Sequence, residues 1–157
     1  MALSKGINFD EPIPQMIERL KSEHAIFESK LVQVEDNIKN NDVKQAAEII
    51  QSISDRITRH AVEEEARLMR VIMHKAKTES SESIKIMQEH NWVIDFLKSN
   101  LLFIERARLN SLSLSSDSKV FKDAKKNMNA FVTNLRKHFE EEKLIVFPLV
   151  IRLDETN

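Results

Sequence analysis

Apolar residues recur along this chain at alternating steps of three and four in four separate stretches. In each stretch polar residues stand where apolar ones are due. The fourth shows it most cleanly: Phe121, Ala124, Met128, Phe131, Leu135, His138, Glu142, Ile145 and Leu149 form the inward stripe of a long helix. A histidine and a carboxylate are set into its middle. The first stripe is Ile17, Leu20, His24, Phe27, Leu31, Val34 and Ile38. The second is Ala46, Ile50, Ile53, Ile57, His60 and Glu64, continuing after a shift to Leu68 and Val71. The third is Met87, His90, Ile94, Leu97, Leu101 and Ile104. An ionised carboxylate buried alone costs several kcal/mol, so a glutamate on such a stripe is expected to be paired or bound to a cation.

Turn signals separate the stripes. Pro12 and Pro14 mark residues 1–14 as an irregular arm, residues 15–151 carry the four helices, and 152–157 form a short tail. Asn40-Asn41-Asp42 ends the first helix, and Asp42 with Gln45 resembles a capping-box start for the second. Thr78 to Ser83 is a polar break, Asn110 to Ser118 is a serine-rich loop, and Pro148 should bend or end the last helix. Short connections predict an all-α, antiparallel up-down-up-down four-helix bundle. On that arrangement His24 and His60 lie about 16 and 18 residues from the first turn, a height difference of about 3 Å at 1.5 Å per residue. Glu64 and His90 lie about equally far from the second connection, and His90 and His138 from the third. All six polar residues thus fall at one level on inward faces.

Composition agrees with this organisation. One glycine (Gly6), three prolines and no tyrosine in 157 residues suit long helices and disfavour a many-stranded β fold. A net charge of −1, with no long run of Lys or Arg, gives no reason to expect nucleic acid or an anionic membrane as partner. No stretch approaches the roughly 20 apolar residues that span a bilayer, and the N-terminus lacks the apolar core of a signal peptide. The absence of cysteine rules out disulfides, thiolate metal sites and thiol catalysis. A cytoplasmic protein, monomeric or weakly self-associating, is expected.

The chemistry follows from spacing. His and Glu four residues apart share a helix face and can address one central point. Four imidazoles and two carboxylates suit two metal ions, each with two histidines, both glutamates bridging. Imidazole suits zinc, copper, iron or nickel, and the carboxylates keep iron and manganese in play. Four protein ligands per ion leave positions free for water, a bridge and a small diatomic ligand. A weak internal repeat supports the set. Glu23-His24 matches Glu89-His90, and His60-x3-Glu64 within HAVEEEARL matches His138-x3-Glu142 within HFEEEKLIV.

Together His24, His60-x3-Glu64, His90 and His138-x3-Glu142 resemble the signature of the hemerythrin-like (HHE) cation-binding domains, over essentially residues 15 to 150. The resemblance implies a non-haem di-iron centre, two iron ions with an oxo or hydroxo bridge, inside a four-helix bundle. The invertebrate oxygen carriers differ at two points. They have a second histidine four residues along helix three, where this chain has Ile94, and an aspartate five residues after the helix-four histidine, where it has Lys143. The chain is therefore more similar to the bacterial and archaeal branch and to di-iron proteins that repair iron centres. The resemblance implies a sensor, scavenger or storage protein that binds or reacts with O2, NO or peroxide. The alternative is an oxidoreductase or iron donor in peroxide or NO detoxification or repair. A bundle serving only for protein interaction is disfavoured, because six polar core residues without metal make a poor bundle.

Other residues have plainer expectations. A single core histidine is usually a hydrogen-bonded structural residue, and only the set of six points to metal. Glu63, Glu65, Glu140 and Glu141 are expected as solvated surface charge, with Glu63 or Glu141 as lesser alternatives to their neighbouring ligands. Glu23 and Glu89 are expected to be exposed, an outer-sphere or proton-relay role being the alternative. His74 lies about 15 Å along the helix from Glu64 and is expected at a helix end. Trp92, Phe96, Phe103, Phe139 and Phe147 lie off the central stripes, packed sideways or exposed for self-association.

Overall fold

The computed structural model describes residues 6–76, 80–109 and 119–155. Among them there is no strand: the chain is all-helical. Helix α1 (Ile13–Lys39) begins on the Pro12 carbonyl, which accepts the Met16 N–H at 2.9 Å. Pro14 therefore sits in the first turn, where a missing N–H costs nothing, and the helix starts two residues before the expected arm boundary. It ends at Asn40 and Asn41. Asn41 takes the left-handed conformation, φ 59°, which asparagine tolerates better than most residues. Asp42 then caps α2 (Val43–Ser52) by accepting the Gln45 N–H at 3.1 Å, as the capping box predicts.

A break at Ile53 separates α2 from α3 (Ser54–Glu63). A π-helical turn (Glu64–Leu68) leads from α3 to α4 (Met69–Lys75). Helix α5 (Ser80–Leu109) begins inside the expected polar break. Helix α6 (Lys119–Glu141) passes through a second π-helical turn (Glu142–Val146) into α7 (Phe147–Asp154). Pro148 lies in the first turn of α7, so the chain stays helical through it and three residues beyond the expected tail boundary. The expected serine-rich loop, Asn110 to Ser118, lies outside the described residues, as does Thr78 within the polar break.

Helix α1 packs on α2, α6 and α7, while α5 packs on α2, α4 and α6, and α4 on α7. The core divides into two apolar clusters. One gathers Phe27, Leu31, Ile57, Val93, Leu97, Phe131 and Leu135 among others. The second gathers Ile17, Leu20, Leu68, Met69, Ile86, Val146 and Phe147. Along the chain the second cluster precedes the first in α1 and α5, and follows it in α3–α4 and α6–α7. His24, His60 and His90 stand at three of these crossings, and Glu142 stands at the fourth, one turn after His138.

Three stripes differ from expectation. In α5 the buried positions are Ser83, Ile86, His90, Val93, Leu97, Asn100 and Ile104, while Leu101 is 42% exposed. Met87 and Ile94 are only partly buried. Asn100 lies inside because its amide donates to the Ala47 carbonyl at 2.9 Å, a pairing hydropathy does not register. Downstream of Glu142, Val146, Val150 and Leu153 face the core and Ile145 is 47% exposed. The cause is the π turn: Phe147 N–H donates to the Glu142 carbonyl, five residues back, which adds a residue to the turn and moves the stripe on by one. After Glu64 the same happens, Met69 N–H donating to the Glu64 carbonyl. Met69 and Ile72 are buried there, and Val71 only partly.

No helix among the described residues is long and apolar enough to cross a membrane. Phe131 is wholly buried and stacks on Phe96, ring centroids 4.4 Å apart, in the cluster around Leu97 and Leu135. Truncation there leaves a cavity and little polar rearrangement. Phe131→Ala should cost about 3–5 kcal/mol, read as a lower denaturant midpoint at unchanged slope. A loss below about 1 kcal/mol would contradict the packing described.

Candidate metal centre

The six polar stripe residues come together between the two apolar clusters. His24 is on α1, His60 in the last turn of α3, His90 on α5 and His138 near the end of α6. Glu64 and Glu142 are the first residues of the two π turns. They form two groups that share both glutamates: His24, His60, Glu64 and Glu142, and Glu64, His90, His138 and Glu142, with candidate ligand atoms within 4.8 Å of one another in each. Either group could hold a metal ion. Glu64 Oε2 lies 3.3 Å from His60 Nε2, and its Oε1 lies 3.1 Å from His90 Nε2. Glu142 Oε1 lies 3.1 Å from His24 Nε2 and 3.4 Å from His138 Nε2. Each carboxylate thus faces one histidine from each group.

Burial makes this arrangement costly. Both glutamates have no exposed surface, and all four of their carboxylate oxygens lack a hydrogen-bond partner, as do both ring nitrogens of His90. The short nitrogen–oxygen distances are therefore close approaches without hydrogen-bond alignment. Neutral polar groups orphaned in this way cost about 1–3 kcal/mol each, and charged ones more. A cation between the facing lone pairs satisfies them together.

The protonation states tell the same story. Burial, reinforced by the charge of Glu64, pushes the Glu142 carboxyl well above its usual range. Burial also works against the Glu64 anion, but the charge on His60 and the close approach of Glu142, His60 and His90 outweigh it and hold Glu64 well below the usual range. At His60 and His90 burial opposes protonation, and the neighbouring glutamates overcome it, raising each to about 9. Burial, with repulsion from His60, lowers His24 to about 3. The cluster recruits protons where positive charge is lacking.

Aromatic rings close one side. Phe139 stacks on His24 at 4.2 Å between centroids, Phe147 at 5.6 Å, and Phe27 meets His60 edge-on at 5.5 Å. Of the two alternatives for Phe139 and Phe147, sideways packing is the one observed, at the site itself. Phe96 and Phe103 are partly buried against the core, and Trp92 is exposed. His74 is exposed in the last turn of α4.

Four carboxylates depart from plain surface charge. Glu63 is buried rather than solvated, accepting from Arg19 Nη2 at 2.6 Å and Arg59 Nε at 3.0 Å. Glu141 is mostly covered and pairs with Lys85. Glu23 Oε1 lies 3.0 Å from His60 Nδ1, and Glu89 Oε1 lies 2.8 Å from His138 Nδ1. The signal for the last two was present, each standing beside a stripe histidine. Their partners, however, are histidines of other helices, which sequence spacing cannot identify. Glu65 is partly exposed and Glu140 exposed.

The shifts carry a sign. His60 and His90, raised from 6.5 to about 9, contribute stability to the metal-free chain that is complete below pH 6.5 and lost as pH rises through 9. The metal-free thermal midpoint should therefore fall between pH 7 and pH 9. Divalent metal added at pH 7.5 should release at least two protons per chain, since ligand nitrogens must be deprotonated. A pH-stat titration with no proton release would contradict this.

No family model, no curated protein and no solved structure matches the chain.

Proposed function

We propose that this chain is a hemerythrin-like, non-haem di-iron protein that binds or reacts with a small molecule such as O2, NO or peroxide, as a sensor, scavenger or storage protein. The observation that carries the reading is the sharing of Glu64 and Glu142 between two histidine pairs, with all four carboxylate oxygens buried and unpartnered. His24 and His60 would hold one ion and His90 and His138 the other, with both carboxylates bridging. Two carboxylates and four imidazoles without thiolate suit iron among the first-row metals. The reading includes an antiparallel four-helix bundle over residues 15–151, in which α2–α4 count as one rod and α6–α7 as another. The alternation of the two apolar clusters along successive stretches supports it.

Bound iron would supply a redox centre with coordination positions left over for a small ligand. The chain supplies the space beside it. A small pocket of about 10 Å³ lies against His60, His90 and His138 and is walled by Ile57, Val93 and Ile94. That is room for about one water-sized molecule, and the wall is mostly apolar. Ile94 stands on this wall, so the position occupied by a further histidine in the invertebrate oxygen carriers is here hydrocarbon. The six-ligand set with an apolar neighbour favours reactive handling of a small ligand over oxygen transport.

A second reading, an iron donor or oxidoreductase in repair or detoxification, draws on one observation. The His24 side chain is 12% exposed and borders an open groove of about 520 Å³ lined also by Lys21, Glu28 and Arg136. An ion could leave by that edge.

Protein purified anaerobically and supplied with ferrous iron should retain two ions per chain and gain near-ultraviolet charge-transfer absorption in air. His60→Ala combined with His138→Ala should lose both signals, and stoichiometric iron in that double variant would contradict the assignment. Reversible O2 or NO binding without turnover favours the sensor. Multiple-turnover loss of peroxide or NO favours the enzyme.

A further inference from the structure

The internal repeat extends beyond the six central residues. Arg19, Glu23 and His24 are matched at the same spacing by Lys85, Glu89 and His90, and Glu63-Glu64 by Glu141-Glu142. The contacts repeat as well. On one side Glu23 reaches from α1 to His60 Nδ1 on α3. Arg19, four residues before Glu23, binds Glu63 and approaches Glu23 at 3.8 Å. On the other side Glu89 reaches from α5 to His138 Nδ1 on α6, and Lys85 binds Glu141. Each histidine of a His-x3-Glu motif is thus gripped from outside by a carboxylate of a neighbouring helix.

We propose that Glu23 and Glu89 are positioning residues that hold His60 and His138 with Nδ1 turned outward and Nε2 turned to the shared glutamates. This inference rests on the metal-centre reading above. An imidazole that donates Nδ1–H to a carboxylate has only Nε2 left for a metal, in a fixed ring orientation and with increased basicity. The grip is selective. His90 Nδ1 is buried without a hydrogen-bond partner, and the Glu65 carboxylate stands 3.8 Å away. Each candidate ion therefore has one histidine anchored by its own outer carboxylate: His60 in the first group and His138 in the second. The carboxylates are only about a quarter exposed, 25% for Glu23 and 28% for Glu89, which shields the bonds from water.

The test uses the full chain titrated anaerobically with ferrous iron against a competing chelator. Glu23→Gln and Glu89→Gln keep the side-chain size and remove the charge. Each should weaken one of the two ions by about 10–100-fold, and the double variant should weaken both. The metal-free thermal midpoint should fall modestly, by less than the affinity loss implies, because each variant removes one charge-assisted bond to a histidine. In a His138→Ala background, Glu89→Gln should leave the affinity of the remaining ion unchanged, because Glu89 acts through His138. Exposed Glu140→Gln should change nothing. Parent-like affinity for two ions in the Glu23 and Glu89 variants would overturn the inference alone. So would an affinity loss matched by an equal fall in metal-free stability. A parent chain that takes up no iron overturns the metal reading and this inference with it.

Discussion

Two glutamate side chains face each other with no exposed surface in the middle of a helical core, and the rest of the structure answers to that. Each carboxylate that stays ionised in an apolar interior carries a desolvation penalty of several kcal/mol. Here the penalty falls on Glu64 and Glu142 together. Four imidazoles surround them, two of which are drawn to about pH 9 by the carboxylates. Burial, reinforced by the charge that Glu64 keeps, disfavours ionisation of Glu142. The apolar clusters on either side give neither carboxylate an exit to water. Such a centre is an expensive thing to fold around unless positive charge completes it.

The backbone is adapted to the same pair. Both glutamates open a π turn, and each glutamate's own carbonyl accepts the N–H five residues on. Such turns are rare and are frequently found at functional sites. Here the extra residue has a packing consequence. It lets the glutamate face inward and still brings Met69 and Ile72, or Val146 and Val150, onto the core downstream. Outside this ring stand the cation–carboxylate pairs of Arg19 with Glu63 and Lys85 with Glu141. They bind α1 to α3 and α5 to α6.

Much of this was legible in the sequence because its cause is local. The steps of three and four place His24, His60, Glu64, His90, His138 and Glu142 on inward faces, and the structure gathers all six. The Asp42 cap was legible for the same reason, since it depends on residues three apart. Where physical causes are non-local or hidden in the backbone, the sequence misleads. A heptad-like stripe carried past Glu142 selects Ile145 and Leu149, because an inserted π turn leaves no mark in hydropathy. Leu101 outranks Asn100 on apolarity, yet Asn100 is buried through its bond to Ala47. Glu63 reads as one more charge in a run of three, and its burial is made tolerable by Arg59 one turn before it together with Arg19 from another helix, a partner that spacing cannot identify.

The central claim is that Glu64 and Glu142 are shared by two metal positions. Anomalous scattering at the iron edge from a crystal of the iron-loaded chain tests it most directly. The account predicts two peaks, one beside His24 and His60 and the other beside His90 and His138, with both carboxylates in contact with both. A single peak, or peaks away from these glutamates, would contradict it.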